Sequence, residues 1–188
     1  MNVTELDLPG VLLLEPKVFG DERGFFLETW QSRRYAEAGL PERFVQDNLS
    51  RSRGGVLRGL HYQIERPQGK LVSVIEGEVF DVAADVDPES PTLGRWVSMR
   101  LSGENHHQLY VPPGYAHGFC VLSDAAYFTY KVTEYYAPEL ERGVRWDDPT
   151  LAIDWPVEEA VVNERDAGWP TLEEAERGEL PSRIPAGT

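Results

Sequence analysis

The sequence predicts an all-β barrel or sandwich, and three observations carry that reading. Short apolar or alternating runs recur about every 8–12 residues, each bounded by turn residues. The 17 Gly and 14 Pro are scattered along the chain, so they punctuate strands and do not form a linker. Helical periodicity is confined to two short stretches. With 188 residues, 41% of them hydrophobic, the chain suffices for one domain with a sizeable core.

The expected strands, in order, are residues 10–15, 24–30, 56–63, 70–75, 78–86, 95–101, 107–111, 117–122 and 126–133. Each is rich in Val, Leu, Phe, Tyr or Ile, the residues that fit a pleated and half-buried surface. Glu76-Gly77, between two of these runs, reads as a tight hairpin. Pro112-Pro113-Gly114 reads as a turn. A helix of about two turns is expected from Ser32 to Ala38, stopped by Gly39 and Pro41. Thr171 and Glu174 fit a capping box, with a short acidic helix after it that Gly178 ends. A single domain is expected over residues 1–188, its tail loosely held from about residue 179.

Charge narrows the function classes. Lys plus Arg is 18 against 32 Asp plus Glu, a formal net charge of −14, which argues against nucleic acid as the main partner. One small anionic ligand is still allowed, because a few placed Arg can outweigh the net charge locally. Charged residues make up 27%, and no window approaches the roughly 18 apolar residues of a spanning helix, so no membrane is expected. The single cysteine, Cys120, excludes an intrachain disulfide and a zinc site built from cysteines, and it suits a reducing cytoplasm. The opening MNVTELDLPG carries acids and no basic apolar run, so no signal peptide is expected.

Several segments hold residue types that carry chemistry. PPGYAHG at 112–118 delivers His117 to the start of a strand. A similar P-x-G-x-x-H turn gives cupins one metal ligand, and their companion segment is H-x-H followed by Glu. Here that stretch is His61-Tyr62-Gln63, and Glu65 alone does not restore the three or four ligands a stable site needs. His106 and His107 are adjacent and expected on opposite faces of a strand. The expectation is therefore a metal-free double-stranded β-helix. In GVLRGLHYQ, residues 55–63, Arg58 and His61 are costly to bury without purpose. Strand parity puts them on opposite faces, so a shared cavity needs a bulge, and Gly59 is the place for it.

Standing alone, the other segments read as ordinary structure. Gln46-Asp47-Asn48 is a polar loop, and Arg23 and Glu28 belong to a solvated face. Lys70 opens a strongly β run. Tyr127, Tyr130, Tyr135 and Tyr136 are packing residues with a hydrogen-bonded hydroxyl. Arg165 and Asp166 sit in a loop, and an Asp there could orient a His by accepting its second ring proton.

Taken together these segments closely resemble the dTDP-4-dehydrorhamnose 3,5-epimerase family, metal-independent cupins of deoxysugar biosynthesis. The order D-x-R-G-F-F-x-E, Q-D-N-x-S-x-S, G-V-L-R-G-L-H-Y-Q, Q-G-K-L-V, S-P-T-x-G-x-W, P-P-G-Y-A-H-G-F, Y-K-x-T-x-Y-Y, D-P and I-D-W-P runs from about residue 5 to 170. The resemblance implies a cupin-type jelly roll with a few short peripheral helices and no cofactor. It implies epimerisation at C3 and C5 of dTDP-4-keto-6-deoxy-D-glucose. In that scheme His61 is the general base, Asp166 its dyad partner, Tyr130 the proton donor, and Lys70 the cation near the sugar carbonyl. Nucleotide and phosphate contacts fall on Arg23, Glu28, Gln46, Asp47, Asn48, Arg58, His117, Glu141 and Arg165, and Tyr136 stacks on the thymine. Arg165 stands where many relatives have Lys, which keeps the charge and changes the geometry.

The resemblance also implies a homodimer with strand exchange, in which Arg23 and Glu28 act across the interface. Three other readings compete with the main one: an epimerase acting at C3 or C5 only, a non-catalytic sugar-nucleotide-binding cupin, and a metal-dependent cupin oxygenase. The non-catalytic reading predicts loss of His61, Tyr130 or Asp166, and all three are present.

Overall fold

The computed structural model describes residues 1–182. Its strands are β1 (Asn2–Glu5), β2 (Leu12–Glu15), β3 (Val18–Asp21), β4 (Gly24–Leu27), β5 (Gln46–Arg53), β6 (Leu57–Gln63), β7 (Lys70–Glu76), β8 (Glu78–Ala84), β9 (Trp96–Ser102), β10 (Gln108–Val111), β11 (Ala116–Val121), β12 (Ala125–Val132) and β13 (Glu141–Gly143). Two short helices accompany them, α1 (Ser32–Glu37) and α2 (Glu164–Ala167).

A six-stranded sheet, in the order β1-β2-β10-β7-β12-β5, faces a five-stranded sheet, in the order β13-β6-β11-β8-β9. Every pairing in both is antiparallel. From β5 to β8, and again from β9 to β13, successive strands alternate between the two sheets. That alternation is the double-stranded β-helix, or jelly roll, expected from the sequence. It also corrects the hairpin at Glu76-Gly77. There β7 and β8 belong to different sheets, and the chain crosses the barrel edge instead of folding back. Gly77 is required at the crossing: its φ is +85°, and a Cβ would lie 2.1 Å from the Ala125 carbonyl oxygen.

The core follows from the pleat. Val72, Val74, Val79, Leu101, Leu109, Phe119 and Phe128 meet between the sheets, with Phe119 and Phe128 stacked at 4.1 Å. Burying an aromatic of this size contributes roughly 1.5–3 kcal/mol. The outer face of the five-stranded sheet is covered by the chain after β13, where Val144, Leu151 and Trp155 pack on Leu60, Val82 and Cys120. On the outer face of the other sheet, α1 seats Tyr35 beside Leu14, Leu71 and Tyr110.

Both helix expectations are tested by the termini. Gln31 caps α1 through its side chain, and the helix ends just before Gly39 as expected. The capping box at Thr171 and Glu174 forms, with their side chains bonding each other's backbone N–H groups. It closes one turn only, and a 3-10 turn at Arg177–Glu179 follows in place of an acidic helix. Leu172 and Leu180 pack on the core, and Gly178 and Pro181 leave the run between them too short to nucleate an α-helix. The loose tail expected from about residue 179 falls largely on residues 183–188, outside the described residues.

Candidate active site

One end of the barrel opens into a cavity of about 380 Å³ between the two sheets. The five-stranded sheet gives it Arg58 and His61 from β6, His117 from β11 and Glu141 from β13; the six-stranded sheet gives it Gln46 and Asn48 from β5, Lys70 from β7 and Tyr130 from β12. Tyr136 and Arg165 complete the wall.

Arg58 and His61 share this cavity because β6 is irregular where the sequence anticipates it. His117 pairs with His61 and Phe119 with Arg58, so three steps on β6 match two on β11. Gly59 sits at the bulge with φ +120°, and the Gly59–Leu60 peptide is cis. A Cβ at Gly59 would lie 2.6 Å from the Gly118 Cα, so the close approach of the two strands admits only glycine.

Asp166 stands directly behind His61. The His61 Nε2 lies 2.8 Å from Asp166 Oδ1, and the Gly59 N–H donates to the other carboxylate oxygen at 3.1 Å. The loop expected at 163–170 contains α2, whose N-cap Asn163 accepts the Asp166 N–H at 2.7 Å and fixes the acid in place. Burial works to raise the Asp166 carboxyl, yet the His61 hydrogen bond and charge, the Gly59 N–H and Arg165 outweigh it and hold it below the ordinary value. The ionised acid accepts a ring proton from His61 and leaves the other ring nitrogen basic.

Across the cavity, the Tyr130 hydroxyl makes no hydrogen bond to any described residue. Burial, then the nearby Glu141, push its pKa up, so the phenol is neutral and holds a proton it can give. Burial pushes Lys70 down to about 8, against the opposing pull of Glu141 and Asp81, which leaves it mostly charged at neutral pH. Its Nζ donates to the His61 carbonyl at 3.3 Å, which anchors the ammonium beside that residue.

The remaining contacts shape the polar end. Arg58 Nε donates to Ser52 Oγ at 3.1 Å, and Gln46 Nε2 donates to Asn48 Oδ1 at 2.9 Å. The Tyr136 hydroxyl donates to Glu141 Oε2 at 2.9 Å, and Arg165 pairs with the same oxygen.

Three expected residues stand elsewhere in the chain. Asp47 is turned to the opposite face of β5 by strand parity, where Lys131 holds it at 2.9 Å; this corrects its place among the cavity contacts. Arg23 lies at the tip of the β3–β4 hairpin, paired with Asp21 and 84% exposed. Glu28 follows β4 and pairs with Arg34 of α1. The hairpin joins neither main sheet, which is why neither residue reaches the cavity of its own chain. Gln46-Asp47-Asn48, read alone as a loop, opens strand β5.

The profile of the dTDP-4-dehydrorhamnose 3,5-epimerase family matches residues 5–174, nearly the whole chain. The chain belongs to that family. A dTDP-4-dehydrorhamnose 3,5-epimerase from Pseudomonas aeruginosa is 56% identical over 168 residues, covering 88% of this chain and 93% of that protein. The crystal structure of a dTDP-6-deoxy-D-glucose-3,5-epimerase from Legionella pneumophila, in complex with dTDP-4-keto-L-rhamnose, superposes with a TM-score of 0.94 at 51% identity, covering 97% of this chain and 98% of that one. A 3'-monoepimerase from Streptomyces bikiniensis, in complex with dTDP-quinovose, is 35% identical with a TM-score of 0.89, covering 94% and 91%.

In this member of the epimerase family some cavity residues escape sequence reasoning. His117 is backed by a second buried acid, Asp81, with both carboxylate oxygens 3.0 Å from its Nε2. Burial raises the Asp81 carboxyl and lowers the His117 imidazole, each partly offset by the other's charge. The signal was available: Asp81 alternates with Val79 and Ala83, so it shares their buried face. Gln68, Ser50, Leu49, Phe119 and Phe128 also line the cavity; Gln68, Ser50 and Phe119 lie within the family motifs without a role assigned to them, and no local pattern marks Leu49 or Phe128. Among the described residues no group of three or more His, Cys, Asp or Glu is placed to hold a metal ion.

Proposed function

We propose that the protein epimerises C3 and C5 of dTDP-4-keto-6-deoxy-D-glucose to give dTDP-4-keto-L-rhamnose. The observation that carries this reading is the placement of base and acid. His61, backed by Asp166, projects from one sheet, and the free phenol of Tyr130 projects from the other into the same cavity.

Protons next to a ketone are weakly acidic, so their removal needs a base and a place for the charge to go. His61 takes the proton, and Asp166 stabilises the imidazolium that forms. Electrons move onto the sugar's carbonyl oxygen, giving an enolate. The Lys70 ammonium meets that oxygen in a partly desolvated site, a placement commonly worth about 3–4 kcal/mol. Tyr130 returns a proton from the opposite face, which inverts the carbon. Loss of the His61 proton to solvent and return of one to the Tyr130 phenolate reset the pair, and repetition at the second carbon completes the reaction. Arg58 and Arg165 offset the diphosphate charge, and Tyr136 at the cavity mouth meets the base.

Incubation with the 4-keto sugar nucleotide in deuterated water tests this directly. Proton NMR is expected to show deuterium incorporation and inversion at both C3 and C5. Exchange at one carbon only would assign a monoepimerase, and exchange at neither would overturn the reading.

We also propose a homodimer in which the β3–β4 hairpin crosses to the neighbouring subunit. Phe19, Phe25 and Phe26 are 53%, 61% and 70% exposed on that hairpin, an apolar cost that a second copy would remove. A hollow lined by Phe25, Leu27, Leu71, Ser73 and Ile75 lies beside it on the outer face of the six-stranded sheet. Arg23 and Glu28 then act across the interface. Light scattering at micromolar concentration is expected to report twice the chain mass, and a monomer would refute the arrangement. No helix among the described residues is long and apolar enough to cross a membrane. We assign the activity to the cytoplasm, with the buried Cys120 kept as a free thiol.

A further inference from the structure

Between β12 and β13 the chain makes a loop outside both sheet ladders, and this loop carries Tyr136. Three successive main-chain groups there end on glutamine side chains. The Tyr135 carbonyl accepts from Gln63 Nε2 at 3.3 Å, the Tyr136 N–H donates to Gln46 Oε1 at 3.1 Å, and the Ala137 N–H donates to Gln63 Oε1 at 2.9 Å. Gln63 Nε2 also donates to the Arg66 carbonyl at 2.6 Å.

Gln63 is 3% exposed, so its amide is desolvated and fully used, with both ends committed to this loop and the turn before β7. It lies on β6 two residues after His61, directly opposite Glu141 of β13. Glu141 in turn accepts the Tyr136 hydroxyl. The backbone of Tyr136 is thus held on both sides while its ring remains 45% exposed at the cavity mouth. A ring fixed in this way meets a planar base without first losing conformational freedom.

We propose that Gln63 is a positioning residue for the base-binding end of the site, acting through the main chain on either side of Tyr136. The inference rests on the reading of Tyr136 as the residue that meets the base. Gln63→Glu keeps the length and the acceptor for Ala137 but removes both donors and sets an oxygen against two carbonyls. Gln63→Met keeps the approximate volume, loses all three bonds, and serves where the charged variant does not fold.

Isothermal titration with dTDP and with inorganic pyrophosphate separates base from phosphate binding. Either variant is expected to weaken dTDP about tenfold, to leave pyrophosphate affinity and saturating kcat within about twofold, and to raise KM in step with the dTDP constant. In a Tyr136→Ala background the same change is expected to add no further loss. Parental dTDP affinity in both Gln63 variants, with Tyr136→Ala weakened, overturns the proposal and leaves the Tyr136 reading standing. Equal weakening of dTDP and pyrophosphate, or a fall in kcat, overturns it as a general disturbance of the site. Parental dTDP affinity in Tyr136→Ala overturns the Tyr136 reading and this proposal with it.

Discussion

Replacing His61 with alanine is expected to abolish exchange of the substrate's alpha protons with deuterated water, a loss on the order of 10²–10⁴-fold, the scale of a removed general base. The size of the effect follows from what surrounds the ring. No other described imidazole in the cavity is free to substitute, because His117 is committed to Asp81 through both carboxylate oxygens and burial disfavours its charged form. Asp166 cannot reach forward in its place, being 1% exposed behind His61 and held by the Gly59 N–H and Arg165. Those same contacts keep the acid satisfied in the variant, so the fold should persist, and circular dichroism with dTDP binding provides the control. Retained exchange at the parental rate would remove His61 from the mechanism.

The strands that escaped sequence reading did so for physical reasons. β5 carries Gln46, Asn48, Ser50 and Ser52 on the face toward the cavity and Asp47, Arg51 and Arg53 on the other. A strand that lines a polar site has no apolar alternation, so the signal that finds strands is absent where function is concentrated. β1 is an exposed edge, and β13 has three residues, too few for any period. By contrast β8 and β11 are buried on both sides or nearly so, and their apolar runs announce them.

The site was legible to different depths. A bulge at Gly59 follows from parity alone, because Arg58 and His61 cannot otherwise share a face. The His61–Asp166 contact joins residues 105 positions apart, and no local pattern pairs them; only the family resemblance did. The misplaced Asp47 shows the limit of carrying a motif over as a block, since neighbours on a strand point to opposite faces. Arg23 and Glu28 show another: within one chain they pair only with Asp21 and Arg34, so their carried-over role rests on the proposed dimer.

Tyr130→Phe is expected to separate the two halves of the reaction. Abstraction by His61 and charge stabilisation by Lys70 need nothing from the phenol, so alpha-proton exchange should continue at a reduced rate. Return of a proton from the far face does need it, and inverted product should fall by about 10²-fold or more. The substitution removes one oxygen and little else. Tyr130 sits on β12 between Asn48 of β5 and Val72 of β7, with its ring against Phe128 at 5.9 Å, and phenylalanine keeps each of those contacts. Its hydroxyl bonds to no described residue, so no buried partner is orphaned by the change. A stability defect therefore cannot account for lost inversion. Following deuterium incorporation and product stereochemistry in one NMR sample reads both quantities at once. Equal loss of exchange and inversion would leave Tyr130 without a distinct role.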